Sequence, residues 1–402
     1  MGWKTIKNRR GEEITVYDSS QIRQYQASFY FIMSGMSAGK TFDGLDEILS
    51  DYLKSMKTKD PVKGVIMRRY DTELKGITPK NYFKPLVDEG RLVGTGFDDI
   101  VFKSDGWYLS KYDEDLDKYI TENKPFCYAF ALNTPDKVRG AGYPECKTVV
   151  FDELIPLKDT SYLKSEFRIF IALLNRIFRQ DERYTVNGVN QRKVWLYMNT
   201  TSVDCPYFHE LGIGDPSLLK QGEITVVRHR KNKQQIQTVV EWLSDKKENT
   251  KKVNSNDIFY DFPGANCLTS GGWGYDRNYP MLPLDYEDIY KQNVLYTYYI
   301  AYENGDRVYR CDICSIEKDN EESLFTYIHL NNLSIEEDAV IYSLIPSPDI
   351  HFRRNLSRPY DKLGQWIFSF FQRDWVMYDS NYTGETIMNY LKRCNQITPI
   401  GY

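Results

Sequence analysis

A short apolar run that breaks into a turn of small residues and restarts as a helix leaves this chain few folds to choose from. Residues 27–33 (ASFYFIM) read as a buried strand. Ser34, Gly35, Met36, Ser37, Ala38, Gly39, Lys40 and Thr41 follow, and helical spacing then runs to about residue 56. The phosphate-cradling pattern G-x-x-x-x-G-K-[ST] is met at every required position except the first, where Ser34 stands for Gly. Small side chains let backbone N–H groups wrap an anion, and the helix that follows presents its positive end. In that pattern Lys40 contacts the β- and γ-phosphates of ATP, and the Thr41 hydroxyl ligates Mg²⁺. Residues 34–41 are therefore the expected nucleotide-binding turn. The Ser34 departure is tolerable where the backbone angles are ordinary.

A second apolar run, residues 147–151, ends in Asp152 and Glu153. A buried strand has no use for carboxylates at its tip unless a cation or a reaction needs them. Asp152 is expected in the Mg²⁺ shell and Glu153 as the general base that polarises water. A third run, residues 193–198, ends in Asn199 and Thr200, and a polar side chain there can sense a γ-phosphate. Residues 62–67 form another short buried strand, and residues 165–178 read as a helix. Strands alternating with helices predict an α/β fold, a mostly parallel sheet covered on both faces, of the P-loop NTPase (ASCE, RecA-like) class.

The chain has 402 residues, enough for two domains. Residues 244–256 are polar, charged and free of aromatics, and read as a linker between an ATPase domain at 1–243 and a second domain at 257–402. Charge divides along the same line. Residues 256–402 carry a net −9, which leaves +5 for residues 1–255, so a polyanionic partner should favour the N-terminal part. Seven scattered Cys suggest reduced thiols in a cytosol. No apolar run approaches bilayer length and no signal peptide is read, so no membrane partner is expected. In the second domain residues 295–302 and 307–314 read as a hairpin around Asn304-Gly305, and residues 384–393 as a helix. Cys311 and Cys314 form a lone C-x-x-C whose members would point to opposite faces of a strand, which is no zinc site.

In combination these segments resemble the DNA-encapsidation ATPases of small short-tailed phages with protein-primed genomes, simple relatives of the large terminase subunits. The likeness is carried by residues 25–41, by Met67-Arg68-Arg69-Tyr70 with Glu73-Leu74, by residues 139–153 (RGAGYPECKTVVFDE), by Ile177-Phe178-Arg179 with Glu182-Arg183, and by residues 199–208 (NTTSVDCPYF). It implies a homomeric ring, expected to hold five subunits, docked on the portal (connector) of an empty procapsid in the host cytoplasm and absent from the mature virion. It implies ATP hydrolysed between neighbours and coupled to translocation of double-stranded DNA, and leaves packaging RNA open as a partner. It makes Arg179 the arginine finger, with Arg176 and Arg183 in reserve. A helical reading puts those three on one face. Arg68, Arg69, Lys137 and Arg139 are candidates for nucleotide sensing between subunits or for DNA phosphate contact. Met36 departs from the basic residue that related motors tend to carry there.

The second domain resembles a degenerate RNase H-like nuclease module that touches DNA, portal or RNA. An active nuclease needs several carboxylates converging on two metals, and the first hairpin strand carries no Asp. A full terminase with active nuclease, or another P-loop DNA translocase or helicase, stands as the alternative. A scaffold with a dead P-loop is argued against by intact Lys40, Thr41, Asp152 and Glu153.

Overall fold

The computed structural model describes residues 2–7, 13–35, 38–138, 142–156, 162–179, 183–186, 189–200, 205–213, 216, 219–228, 236–244, 279–282, 293–302, 307–318, 321–335, 338–343 and 361–396. The chain divides into two compact units, Met1–Gly274 and Tyr275–Tyr402. From residue 245 onward the expected linker lies outside the described residues.

In the first unit an N-terminal hairpin, β1 (Trp3–Lys7) with β2 (Glu13–Tyr17), precedes the short helix α1 (Ser20–Arg23). The chain continues as β3 (Phe29–Ser34), α2 (Lys40–Ser55), β4 (Lys63–Arg68), α3 (Lys84–Asp88), β5 (Asp99–Lys103), β6 (Gly106–Asp113), β7 (Lys118–Thr121), β8 (Cys127–Ala131), β9 (Cys146–Phe151) and α4 (Glu166–Phe178). A two-residue pair, β10 (Thr185–Val186) and β11 (Val189–Asn190), leads into β12 (Lys193–Asn199), α5 (Pro206–Glu210), β13 (Ile224–Arg228) and β14 (Ile236–Trp242). The ten-stranded sheet runs β13-β14-β3-β12-β9-β4-β8-β6-β5, with β7 paired to β6. Strands β14, β3, β12, β9, β4 and β8 are mutually parallel. β12 therefore lies between the strand that enters the small-residue turn and the strand that ends in two acids.

Both faces are covered, as runs without polar alternation require. Successive residues of β3 serve opposite sides. Phe31 and Met33 pack with Phe170, Leu173, Leu174 and Ile177 of α4. Tyr30 and Ile32 pack with Leu45, Ile48 and Leu49 of α2. The antiparallel extension β5–β7 and the edge strand β13 were not expected. Helix α4 ends at Phe178 because Arg179 takes φ 43°. Arg176, Arg179 and Arg183 therefore do not share one helical face, a correction to the periodicity reading.

The second unit holds β15 (Val294–Tyr302), β16 (Arg307–Lys318), β17 (Glu321–Leu330), β18 (Ile341–Ser343), α6 (Lys362–Gln372), β19 (Val376–Tyr378) and α7 (Asn381–Gln396). The expected hairpin is present as the antiparallel pair β15–β16, and the terminal helix as α7. The sheet order is β18-β15-β16-β17-β19, with both outer strands parallel to their neighbours. Cys311 packs in the core beneath α6 and α7, while Cys314 belongs to a different apolar cluster, so the two do face apart. Among the described residues no group of three or more His, Cys, Asp or Glu could hold a metal ion. Residues 351–354 (HFRR), a short basic run in the second domain, lie outside the described residues.

At Gly64 in β4, helix α2 packs close against the sheet. A Cβ there would stand 2.5–2.7 Å from three side-chain carbons of buried Ile48. Gly64→Ala is expected to destabilise the first unit by about 1–3 kcal/mol, read from the urea unfolding midpoint.

Candidate functional site

The carboxyl ends of β3, β12, β9 and β4 stop along one edge of the sheet, the edge where α/β sheets present ligand sites. In register, Asn199 pairs with Ser34 across β12–β3, and Leu196 pairs with Phe151 across β12–β9. Side chains far apart in sequence therefore meet. The Lys40 Nζ donates to Ser34 Oγ (2.6 Å), to the Gly35 carbonyl (3.0 Å) and to Asn199 Oδ1 (3.0 Å). Burial pushes the Lys40 ammonium down to about 8, with Asp152 opposing. Gly39, at φ 82°, closes the turn, and α2 starts at Lys40 with no side-chain cap on its first N–H groups. Those N–H groups point toward the turn, as an anion site requires. Met36 and Ser37 lie outside the described residues.

On the facing side Thr41 Oγ1 donates to Asp152 Oδ2 at 3.1 Å. Burial raises the Asp152 carboxyl above its ordinary value, and Arg68 opposes that. Glu153 follows in a left-handed conformation, φ 57°, with its side chain more than half exposed. One oxygen accepts from Arg68 Nη2 at 2.5 Å. Arg68 also reaches Glu73 Oε1 (3.0 Å) and approaches Asp152 Oδ2 (3.6 Å), so a single guanidinium bridges three carboxylates.

Arg69 has a different task. Its guanidinium forks onto both oxygens of Glu166 (2.9 and 3.0 Å) and donates to the carbonyls of Glu153 (3.2 Å) and Leu154 (2.6 Å). Glu166 also accepts from Tyr207 Oη (2.9 Å) and the Leu163 N–H (2.8 Å). This buckle fixes the turn that carries the acidic pair. Arg68 and Arg69 are both buried, which removes them as DNA phosphate contacts. Of the other basic candidates, Arg139 and the side chain of Lys137 lie outside the described residues.

The N-terminal hairpin also reaches the site, and the sequence reading passed over it. The Tyr17 N–H donates to the Ala38 carbonyl at 2.9 Å, and Val16 packs so near Gly39 that a Cβ there would lie 3.1 Å away. The alternating run EITVY was the available signal. Arg179 is elsewhere. α4 begins beside Arg69 and runs back along the sheet for its 13 residues, roughly 20 Å at about 1.5 Å per residue. Arg179 then lies near the start of β9, where the Tyr143 N–H donates to the Ile177 carbonyl. Arg176 donates to the Pro135 carbonyl (3.1 Å).

The family model described as Podovirus DNA encapsidation protein (Gp16) matches residues 13–215, half of the chain, including every segment that builds this edge. The chain belongs to that family. It is similar to the DNA packaging proteins of Bacillus phages PZA and phi29, 26% identical to each over 195 residues, which is 48% of this chain and 48% of each relative. The chain thus spans about half the length of the curated relatives it matches. Its fold is that of a chain in the bacteriophage Phi-29 viral genome packaging motor assembly, with a TM-score of 0.56 at 17% identity, covering 94% of this chain and 99% of that one.

The Arg69–Glu166 buckle is open to a stability test. Arg69→Met leaves Glu166 charged and buried, and is expected to cost about 3–5 kcal/mol by denaturant unfolding. Adding Glu166→Gln should recover part of that loss.

Proposed function

We propose that this chain is an ATP-hydrolysing subunit of a ring that drives double-stranded DNA into a procapsid. The observation that carries the reading is the convergence of Lys40, Thr41, Asp152, Glu153 and Asn199 at one edge of a parallel sheet. Family membership supports the packaging role. The relatives' names speak of DNA packaging, and the structural relative is a packaging motor assembly.

The residues fit a magnesium nucleotide. Thr41 Oγ1 and Asp152 Oδ2 are a hard-oxygen donor pair already side by side, and Mg²⁺ takes such oxygens together with substrate phosphates. When bound, the cation neutralises charge on the phosphates. The chain's own groups then divide the work. Residues 34–41 would wrap the phosphates with backbone N–H groups, and Lys40 would turn from Ser34, Gly35 and Asn199 toward the terminal phosphates. Asn199, freed of Lys40, can orient the γ-phosphate or the attacking water. Glu153, released from Arg68, can accept the proton of that water.

Charge developing on the transferred phosphoryl group calls for a further guanidinium. Arg69 is bound to Glu166, and Arg68, once Glu153 leaves it, still pairs with Glu73 and lies beside Asp152, so both stay engaged with their own chain. Arg179 lies the length of α4 away in its own chain, a placement that supports delivery to a neighbour's nucleotide. The ring, its portal partner, a packaging RNA and transient docking in the host cytoplasm belong to the same proposal.

Glu153→Gln is expected to lower DNA-stimulated turnover by about 10²-fold or more while a fluorescent ATP analogue still binds. Arg179→Ala is expected to lose about 10³-fold or more. Mixing the two inactive variants should restore turnover, because some interfaces then pair an intact Glu153 with an intact Arg179. An Arg179→Ala protein with unchanged turnover would refute the assignment.

A further inference from the structure

We infer that Gly142 and Arg192 are positioning residues that set the direction in which Arg179 leaves the chain. The inference rests on reading Arg179 as the group that acts on a neighbour's nucleotide.

Arg179 has φ 43° and ψ −178°, a region that side chains other than Gly avoid. Such a conformation persists where its surroundings over-determine it. Here they do. The Arg179 N–H closes the last turn of α4 on the Asn175 carbonyl (3.0 Å), and the Ile177 carbonyl accepts from the Tyr143 N–H (3.1 Å). The helix end is thereby laid against residues 142–146. At Gly142 a Cβ would stand 2.6 Å from both Cδ and Nε of Arg179 and 3.2 Å from its Cγ. The arginine stem crosses the backbone in the space that a missing side chain leaves.

Arg192 holds the other end of the same segment. It is buried, 4% exposed, with its guanidinium 5.2 Å from the Phe178 ring centre and 5.3 Å from that of Tyr184. Its nitrogens approach the carbonyls of Cys146 (3.4 Å) and Pro144 (3.5 Å), and Tyr184 Oη donates to the Glu145 carbonyl (2.7 Å). The residues on either side of Arg179 and Arg183 are thus pinned to the strand entry that Gly142 leads into. The three atoms nearest a Cβ at 142 all belong to the flexible Arg179 side chain. The fold can stay while Arg179 moves away, which separates positioning from folding.

The test uses the full chain with Gly142→Ala, Arg192→Lys, Arg179→Ala and Glu153→Gln. Gly142→Ala is expected to lower DNA-stimulated turnover by roughly 10²-fold, the loss typical of a misplaced catalytic group, with ATP-analogue affinity and the thermal midpoint unchanged. Mixed with Glu153→Gln subunits it should turn over faster than either variant alone, as Arg179→Ala should, because the partner then supplies a correctly placed arginine. Arg192→Lys keeps the charge but loses the flat surface between Phe178 and Tyr184. It should show the same pattern, and it carries the test if Gly142→Ala does not fold. Wild-type turnover in Gly142→Ala and Arg192→Lys alongside an inactive Arg179→Ala would overturn the inference. So would a loss in them that Glu153→Gln subunits fail to rescue while rescuing Arg179→Ala. Full turnover in Arg179→Ala would instead remove the reading of the finger itself.

Discussion

The site depends on the parallel register of β12 between β3 and β9. Pairing Asn199 with Ser34 on one side and Leu196 with Phe151 on the other sets three strand ends at neighbouring heights. Lys40 can then reach Asn199, and Thr41 can reach Asp152, without either side chain stretching. A one-residue slip in either ladder would turn alternate side chains to the other face and separate these partners. The apolar runs that oppose such a slip are buried on both sides, so the clusters under α2 and α4 hold the chemistry in place from a distance.

Around that frame the electrostatics are arranged in pairs. Arg68 and Arg69 are adjacent in sequence yet serve different masters, one gathering Glu73, Asp152 and Glu153, the other locking Glu166 and the carbonyls after β9. Both guanidinia are thus engaged inside the fold. The two strained non-glycine residues that bear on the proposed mechanism, Glu153 and Arg179, sit at opposite ends of the β9–α4 hairpin. Backbone strain of that kind is retained where the geometry it holds is needed.

The turn at 34–41, the acids at 152–153 and the Asn at 199 were legible because each follows an apolar run of strand length, a local pattern that needs no partner to be recognised. The boundaries of α2 and α4 were read to within a residue or two for the same reason. Arg68 and Arg69 stayed open between nucleotide sensing and DNA phosphate contact because a charge in sequence carries no mark of burial. Their partners Glu153 and Glu166 lie 85 and 97 positions away. The expected basic stripe on α4 failed at one backbone angle, which periodicity does not report. The N-terminal hairpin was passed over because five alternating residues are too weak a signal until something is seen packed against them.

Sequence therefore sufficed for the family and for the strand-end residues that the fold brings to one edge, since strand, turn and acid motifs are written contiguously. Which strand lies between which, which arginines are consumed internally, and where Arg179 points arise from non-local pairing. These follow from burial and register, which depend on residues up to 159 positions apart meeting at one edge. No local window contains both members of such a pair.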